Sequence, residues 1–98
     1  MIDLKNKKVL ITGATGGIGG SLVKKFLSLN AEVLGTGTKS DKLEKLKNEF
    51  NKIKVKKFDI SAHSKIEKFI DEVTEELGGL DVLINNAGIN RDNLSLRM

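Results

Sequence analysis

A cluster of glycines directly after an apolar segment is the feature that most limits how this chain can fold. The apolar residues Val9, Leu10 and Ile11 predict a buried strand, and the segment TGATGGIG at 12–19 follows them. Its glycines form the pattern G-x-x-x-G-x-G, which differs from the G-x-G-x-x-G of the standard dinucleotide-binding fingerprint. A strand that turns on glycines into a helix presents backbone N–H groups and a positive dipole end, which favour a phosphate. The segment therefore predicts a nucleotide-binding corner.

Each of three glycines has its own expected role in this corner. Gly13 makes the turn, Gly17 lets the backbone approach a pyrophosphate closely, and Gly19 lets the following helix pack tightly on the first strand. A mobile glycine loop is the alternative interpretation. We favour the binding site because a buried type of strand precedes the glycines and an amphipathic helix follows them.

Composition narrows the class of protein further. The 98 residues suffice for about one small domain, and they include no cysteine, which excludes disulfides and thiolate metal sites. No secretory apolar core and no apolar run near the roughly 20 residues of a transmembrane helix are present, so we expect a cytoplasmic protein without a membrane partner. The net charge of +4 comes from lysines interleaved with acids, and no tyrosine or tryptophan accompanies them. We therefore expect no nucleic-acid partner.

Strands and helices alternate along the rest of the chain, which predicts an α/β fold with a doubly wound parallel sheet. After the first strand, further strands are expected at 32–35, 53–60 and 80–84. Right-handed crossovers give the strand order 3-2-1-4. Ligands then belong at the carboxyl ends of the strands, where the order reverses beside strand one.

The helices between these strands carry recognisable end signals. Asn30 suits the left-handed residue that ends the first helix, and Ser40 or Asp41 begins the second. In the third helix, Ser64 and Glu67 are expected to form a capping box. The pair at 78–79, two glycines, is expected to end that helix.

The residues after strand two bear on which nicotinamide cofactor is used. A dehydrogenase that prefers NAD usually places an acid at the end of strand two for the ribose hydroxyls. This chain has Thr38 and Lys39 there, with no acid before Asp41. NADPH is therefore favoured, with Lys39 as a candidate partner of its 2′-phosphate. A solvated loop lysine is the alternative for Lys39.

Strands three and four end in residues that suit the other parts of a dinucleotide. Asp59 is a candidate acceptor for the adenine amino group, with Ile60 against the ring, although Asp59 could instead cap the following turn. Asn86 suits a bridge between backbone groups of adjacent strands, and Ala87 and Gly88 leave room for a ribose. A simple tight turn is the alternative for these last residues.

Together, the two motifs resemble those of the short-chain dehydrogenase/reductase family. The segment 12–19 is similar to the cofactor loop of that family, and the segment NNAG at 85–88 is similar to its motif after strand four. The segments at 35–38 and 88–98 are most similar to those of bacterial 3-oxoacyl-[acyl-carrier-protein] reductases. The resemblance implies a Rossmann-type fold, NADP(H) as cofactor, a 3-oxoacyl thioester on acyl carrier protein as substrate, and a homotetrameric parent protein.

Carried over position by position, the resemblance implies one contact set for each part of the cofactor. The residues implied for the pyrophosphate are Gly13, Ala14, Thr15, Gly17, Ile18 and Gly19. Thr38 would meet the adenosine phosphate, and 59–60 and 86–88 would meet the adenine and the ribose. Many NADPH-using relatives have a basic residue at the position of Gly16, and its absence leaves the 2′-phosphate to Thr38 and Lys39.

The chain also departs from the family in its catalytic residues. Members are much longer and use a tyrosine, a lysine four residues later and a serine, whereas this chain contains no tyrosine. We therefore expect residues 1–98 to be the incomplete NADP-binding Rossmann domain of an NADPH-dependent ketoreductase, cut off after strand four, with no catalytic residue and no activity alone. Strand four would then be an unpaired edge. Another reductase of the family, acting on acetoacetyl-CoA, a sugar or an alcohol, and a truncated nucleotide-binding module are the alternatives.

Overall fold

The computed structural model of the chain describes residues 2–59, 63–86 and 95–97. The strands in these ranges are β1 (Lys8–Thr12), β2 (Glu32–Gly37), β3 (Lys54–Lys57), β4 (Val82–Asn85) and β5 (Ser95–Arg97). The helices are α1 (Gly17–Ser28), α2 (Ser40–Glu49) and α3 (Ile66–Leu77), the last preceded by a 3-10 turn at His63–Lys65. Strand and helix alternate up to β4, as the sequence predicts.

All of these strands belong to one sheet in the order β3-β2-β1-β4-β5. β1 is parallel to both β2 and β4, and β3 is parallel to β2, which confirms the predicted order 3-2-1-4. The expectation that β4 forms an unpaired edge is wrong, because β5 pairs with it in the antiparallel direction, with Ile84 opposite Leu96. The order of the chain reverses between β1 and β4, and this is the switch point of the sheet.

The two faces of β1 are buried in separate apolar clusters. Val9 and Ile11 pack on the side of α1, with Val23 of that helix. Leu10 points to the opposite side, where it packs in a cluster with Phe69 and Val73 of α3. Alternate residues of a strand face opposite sides of the sheet, so burial on both sides requires the unbroken apolar run that the sequence shows.

The strand boundaries differ from the predicted ones at several points. β2 continues to Gly37, two residues beyond the predicted end, because its ladder with β3 still pairs Gly37 with Lys57. β3 itself is shorter than predicted and ends at Lys57. β4 begins at Val82, two residues later than expected, and includes Asn85.

The capping box predicted for the third helix is wrong. Lys65 occupies the N-cap of α3, with no side-chain capping hydrogen bond. Ser64 lies one residue earlier, inside the 3-10 turn, so it is not at the position from which a serine caps a helix. The predicted glycine end is confirmed, because Gly78 is the C-cap residue with φ of 80°.

The end of α1 also agrees with the sequence. Asn30 has φ of 72°, and the N–H groups of Asn30 and Ala31 donate to the carbonyls of Leu27 and Phe26 at 3.0 and 3.1 Å. This is a Schellman arrangement, which needs one residue in the left-handed conformation. Asn30 therefore occupies that position, as predicted.

Substitution of Asn30 tests this helix end. We expect Asn30→Ala to lower the free energy of unfolding by about 1 kcal/mol relative to Asn30→Gly, since alanine pays the steric cost of the left-handed conformation and glycine does not. Both variants lose the 3.3 Å contact from Asn30 Nδ2 to Asp3 Oδ1, so their difference isolates the backbone term. Urea unfolding followed by circular dichroism measures it, and equal stability of the two variants would argue against the Schellman end.

Candidate nucleotide-binding site

The glycine corner connects β1 to α1 through a tight turn. Gly13 has φ of 63°, and the Ala14 N–H donates to the Thr36 carbonyl of β2 at 2.9 Å. The first intrahelical bond of α1 runs from the Gly20 N–H to the Gly16 carbonyl at 2.8 Å. The N–H groups that precede Gly20 in the first turn are therefore in the position where a helix leaves its donors without intrahelical partners. The first turn of α1 contains no acidic residue, so the positive end of the helix dipole is not offset there.

The glycines differ in what a side chain at each position would meet. A Cβ at Gly19 would lie 2.0 Å from the Gly13 carbonyl oxygen and 2.8 Å from Ala14 Cα, so glycine is required there for the helix to approach β1. This confirms the packing role predicted for Gly19. A Cβ at Gly17 would meet no atom within 4 Å, so the space above it is open. The close approach of Gly17 to a pyrophosphate stays a prediction.

A hydrogen-bond network joins the ends of β1 and β4 at the switch point. The Asn86 N–H donates to Thr12 Oγ1 at 2.9 Å, and the Thr12 hydroxyl donates to Asn85 Oδ1 at 3.0 Å. The Asn86 Nδ2 group donates to the Gly13 carbonyl at 3.1 Å. The side chain of Asn86 therefore reaches the backbone directly after β1, in agreement with the predicted bridge, and its contact with a ribose stays a prediction.

Thr12 and Asn85 are members of this network that the sequence analysis did not assign to the site. Thr12 is almost completely buried, at 2% exposure. The signal in the sequence is a hydroxyl residue directly after the buried apolar run at 9–11. Such a hydroxyl needs a partner, and the structure supplies it from residues about 70 positions later in the chain.

The end of β2 supports the glycine corner from the other side. A Cβ at Gly35 would lie 2.7 Å from the Ala14 Cβ, and a Cβ at Gly37 would lie 3.2 Å from both Thr15 Oγ1 and Thr15 Cγ2. These two glycines therefore let the corner rest directly on β2. Neither was assigned a contact in the sequence analysis.

The predicted adenosine-side residues follow strands β2 and β3 at the same edge of the sheet. Thr38 and Lys39 are exposed in the connection to α2, where Lys39 is the N-cap residue. Asp59 is exposed two residues after β3. The preceding Phe58 donates its N–H to the Gly37 carbonyl at 3.0 Å, and its ring stacks on that of Phe69 at a centroid distance of 4.0 Å.

The structure brings most of the predicted set to one edge. The carboxyl ends of parallel strands share an edge, so the glycine corner, Thr38, Lys39, Asp59 and Asn86 all lie there. Ile18 is exposed in the first turn of α1, with 47% of its surface accessible. Ile60, Ala87 and Gly88 lie outside the described residues, and their contacts stay predictions.

The described residues of this edge combine open space with the positive end of a helix, and they form no metal-binding group. The open space above Gly17 and the acid-free start of α1 fit a negatively charged group. Among residues 2–59, 63–86 and 95–97, no three His, Asp or Glu residues form a group able to hold a metal ion. In the same part of the chain, no helix has the length and apolar character needed to cross a membrane.

Comparison with known proteins identifies a family for this arrangement. Residues 7–98 match the family model of the short chain dehydrogenases. A short chain dehydrogenase from Bacillus anthracis, a solved structure, superposes with a TM-score of 0.77 at 35% identity, over 86% of this chain and 35% of that one. The dehydrogenase Cj0485 superposes with a TM-score of 0.73 at 29% identity, over 90% of this chain and 35% of that one.

Curated proteins are also similar in sequence to this chain, over nearly all of its length. The 3-oxoacyl-[acyl-carrier-protein] reductase FabG of Aquifex aeolicus is 37% identical over 99% of this chain and 41% of its own length. Nodulation protein G of Rhizobium sp. strain N33 is 35% identical over 100% of this chain and 40% of its own length. The chain therefore spans about two fifths of the length of these relatives.

Proposed function

The chain belongs to the short chain dehydrogenase family, and we propose that it forms the cofactor-binding part of an NADPH-dependent reductase of 3-oxoacyl thioesters on acyl carrier protein. The observation that supports this proposal most directly is the arrangement at the switch point. There the open start of α1 lies beside Asn86, which is held to Gly13 at 3.1 Å. FabG relatives at 33–37% identity support the substrate.

The proposal divides the cofactor among groups of residues at the carboxyl edge of the sheet. The backbone of 13–19 would hold the pyrophosphate, with Gly13 and Gly17 leaving space and Ala14, Thr15, Ile18 and Gly19 completing the loop. Asp59 and Ile60 would contact the adenine. Asn86, Ala87 and Gly88 would contact the ribose. Thr38 and Lys39 would contact the adenosine 2′-phosphate.

Bound NADPH would supply the hydride that reduces the carbonyl of the substrate. The part played by this chain is binding and orientation, because the loop offers N–H donors for the diphosphate charge and Asn86 is held by hydrogen bonds to Thr12 and Gly13. General acid catalysis needs a proton donor within hydrogen-bond reach of the carbonyl. The chain contains no tyrosine, so we propose that these residues bind the cofactor but do not catalyse the reduction alone. We also propose that they act within a larger enzyme that is tetrameric and cytoplasmic.

Preference for NADPH over NADH is the first test of the proposal. We expect the intact protein to bind NADPH at least about tenfold more tightly than NADH, since a charge-assisted hydrogen bond to the 2′-phosphate contributes about 1.5–3 kcal/mol. Fluorescence titration with each reduced cofactor measures the two dissociation constants. Tighter binding of NADH would contradict the cofactor assignment and leave the family unchanged.

The substrate assignment needs a separate assay because other reductases share the fold. We expect oxidation of NADPH by the intact protein to be fastest with a 3-oxoacyl-[acyl-carrier-protein]. Acetoacetyl-CoA, a ketose and a simple ketone serve as competing substrates in the same assay. A higher kcat/KM for one of these would replace the proposed substrate with that class.

A further inference from the structure

A pair of stacked aromatic rings joins the end of β3 to the start of α3. The rings of Phe58 and Phe69 have a centroid distance of 4.0 Å and an interplanar angle of 11°. Phe58 is the residue directly after β3, and Phe69 lies in the first turn of α3. The contact therefore closes the connection between these two elements, and Asp59 is the residue of that connection that follows Phe58.

Phe69 is the more deeply buried partner of this pair. Its side chain is 5% exposed, and it belongs to the cluster that contains Leu10 and Leu34 on the α3 side of the sheet. A ring buried in this way has little room to move, because protein interiors are closely packed. Phe58 packs against the same cluster but is only half-buried. The Phe69 ring therefore provides the fixed surface on which the Phe58 ring rests.

The backbone of Phe58 is held at the same time. The ladder between β2 and β3 ends with the pair Gly37 and Lys57, and the Phe58 N–H donates to the Gly37 carbonyl at 3.0 Å. Phe58 is thus attached to the end of β2 by its N–H and to α3 by its ring. Consecutive Cα atoms are about 3.8 Å apart, so these two attachments limit where Asp59 can lie.

The proposed contact of Asp59 with the adenine depends on this placement. Asp59 is exposed at the carboxyl edge of the sheet. A hydrogen bond from the adenine amino group to its carboxylate requires a distance of at most about 3.2 Å, so a displacement of about 1 Å would remove most of the contact. Phe69 is almost completely buried on the α3 side, so it affects this contact through Phe58.

We propose that the stacked pair of Phe58 and Phe69 holds Asp59 where it accepts a hydrogen bond from the adenine amino group, so that recognition of the adenine base depends on a buried ring of α3. This inference rests on the proposed function, which assigns Asp59 to the adenine. It adds two aromatic residues that the sequence analysis did not assign to the site. Both are positioning residues, because they act through Asp59.

The test measures selectivity for the base of the cofactor in the intact protein. Nicotinamide hypoxanthine dinucleotide phosphate, in its reduced form, has a carbonyl oxygen in place of the adenine amino group. We expect the wild type to bind NADPH about fivefold more tightly than this analogue, because the analogue offers Asp59 no donor there. In Phe69→Leu we expect the preference to fall below about twofold, mainly through weaker binding of NADPH. Fluorescence titration gives both dissociation constants.

Three further variants separate positioning from packing. Phe58→Leu removes the other ring of the pair at a half-buried position, and we expect the same loss of preference. Asp59→Ala removes the carboxylate itself and is also expected to abolish the preference. Leu77→Val is the matched control, because Leu77 belongs to the same cluster but lies eight residues beyond Phe69, about 12 Å along the axis of α3. We expect it to lower stability and to keep the wild-type preference.

The outcomes distinguish this inference from the proposed function. If Asp59→Ala abolishes the preference for NADPH while Phe69→Leu and Phe58→Leu keep it, the inference is wrong and the proposed function stands. Loss of the preference in Leu77→Val would also overturn the inference, since any weakening of the cluster would then have the same effect. If the wild type shows no preference, or Asp59→Ala retains it, the adenine contact assigned in the proposed function fails, and the inference fails with it.

Discussion

The Gly19→Ala variant is expected to lose on the order of 3 kcal/mol of unfolding free energy or more, together with cofactor binding. The added methyl group would lie 2.0 Å from the Gly13 carbonyl oxygen and 2.8 Å from Ala14 Cα. Both are backbone atoms, so no side-chain rotation can relieve the overlap. Either α1 moves away from β1 or the turn at Gly13 changes shape.

The consequences extend to β4 because the Gly13 carbonyl has a second role. It accepts the hydrogen bond from Asn86 Nδ2 at 3.1 Å. A displaced Gly13 would therefore release Asn86 from its position at the switch point, so the same substitution damages the diphosphate side and the ribose side of the proposed site.

The neighbouring Gly20 provides a matched control for this prediction. A Cβ at Gly20 would be 4.0 Å from its nearest neighbour, the Ala14 carbonyl oxygen. Alanine in a helix is favoured over glycine by about 0.5–1 kcal/mol, so we expect Gly20→Ala to raise the free energy of unfolding. Urea unfolding of the two variants gives both values. A Gly19→Ala protein as stable as the wild type would show that α1 does not approach β1 as closely as the structure indicates.

Local sequence signals were sufficient for the order of the elements and for the turns that need unusual backbone angles. The run at 9–11 identified a strand buried on both faces, and the glycines after it identified the corner. Asn30 and Gly78 end their helices with positive φ values of 72° and 80°. In these cases the residue type and the backbone geometry are linked within a few positions, so no knowledge of distant contacts is required.

Features that depend on distant contacts were not predictable in the same way. The predicted β2 ends at Gly35, and both Gly35 and Gly37 are of a residue type with a low preference for strands. The structure keeps them in the strand, because the glycine corner rests on β2 and leaves no space for side chains there. Similarly, the sequence spacing that suggested a capping box at Ser64 does not reveal the 3-10 turn that moves the helix start to Ile66.

The hydroxyl of Thr12 is the clearest example, and its removal is the second large effect that we expect. Thr12→Val keeps the size of the side chain but leaves the Asn86 N–H and Asn85 Oδ1 without their partner at 2.9 and 3.0 Å. An unsatisfied buried polar group costs about 1–3 kcal/mol. We expect a loss of about 2 kcal/mol in unfolding free energy and about a tenfold weaker NADPH affinity, since Asn86 is no longer held at its backbone.

Thr12→Ser is the control that separates the hydroxyl from the packing of the side chain. Serine keeps the donor and acceptor but removes one buried methyl group, which costs about 0.8 kcal/mol of stability. Both variants are therefore less stable than the wild type, and the stability measurement alone cannot distinguish them sharply. The dissociation constant for NADPH distinguishes the two variants. We expect it to rise in Thr12→Val and to stay within about twofold of the wild-type value in Thr12→Ser.

The position of Asn86 explains why NADPH affinity distinguishes Thr12→Val from Thr12→Ser. Asn86 has two attachments to the β1 side of the switch point, its N–H to Thr12 and its side chain to Gly13. Thr12→Val removes the first and leaves the second. If NADPH affinity is unchanged in Thr12→Val while stability falls, the contact to Gly13 is sufficient to orient Asn86. The Thr12 hydroxyl would then serve only to join β1 to β4, and its proposed effect on the cofactor would be wrong.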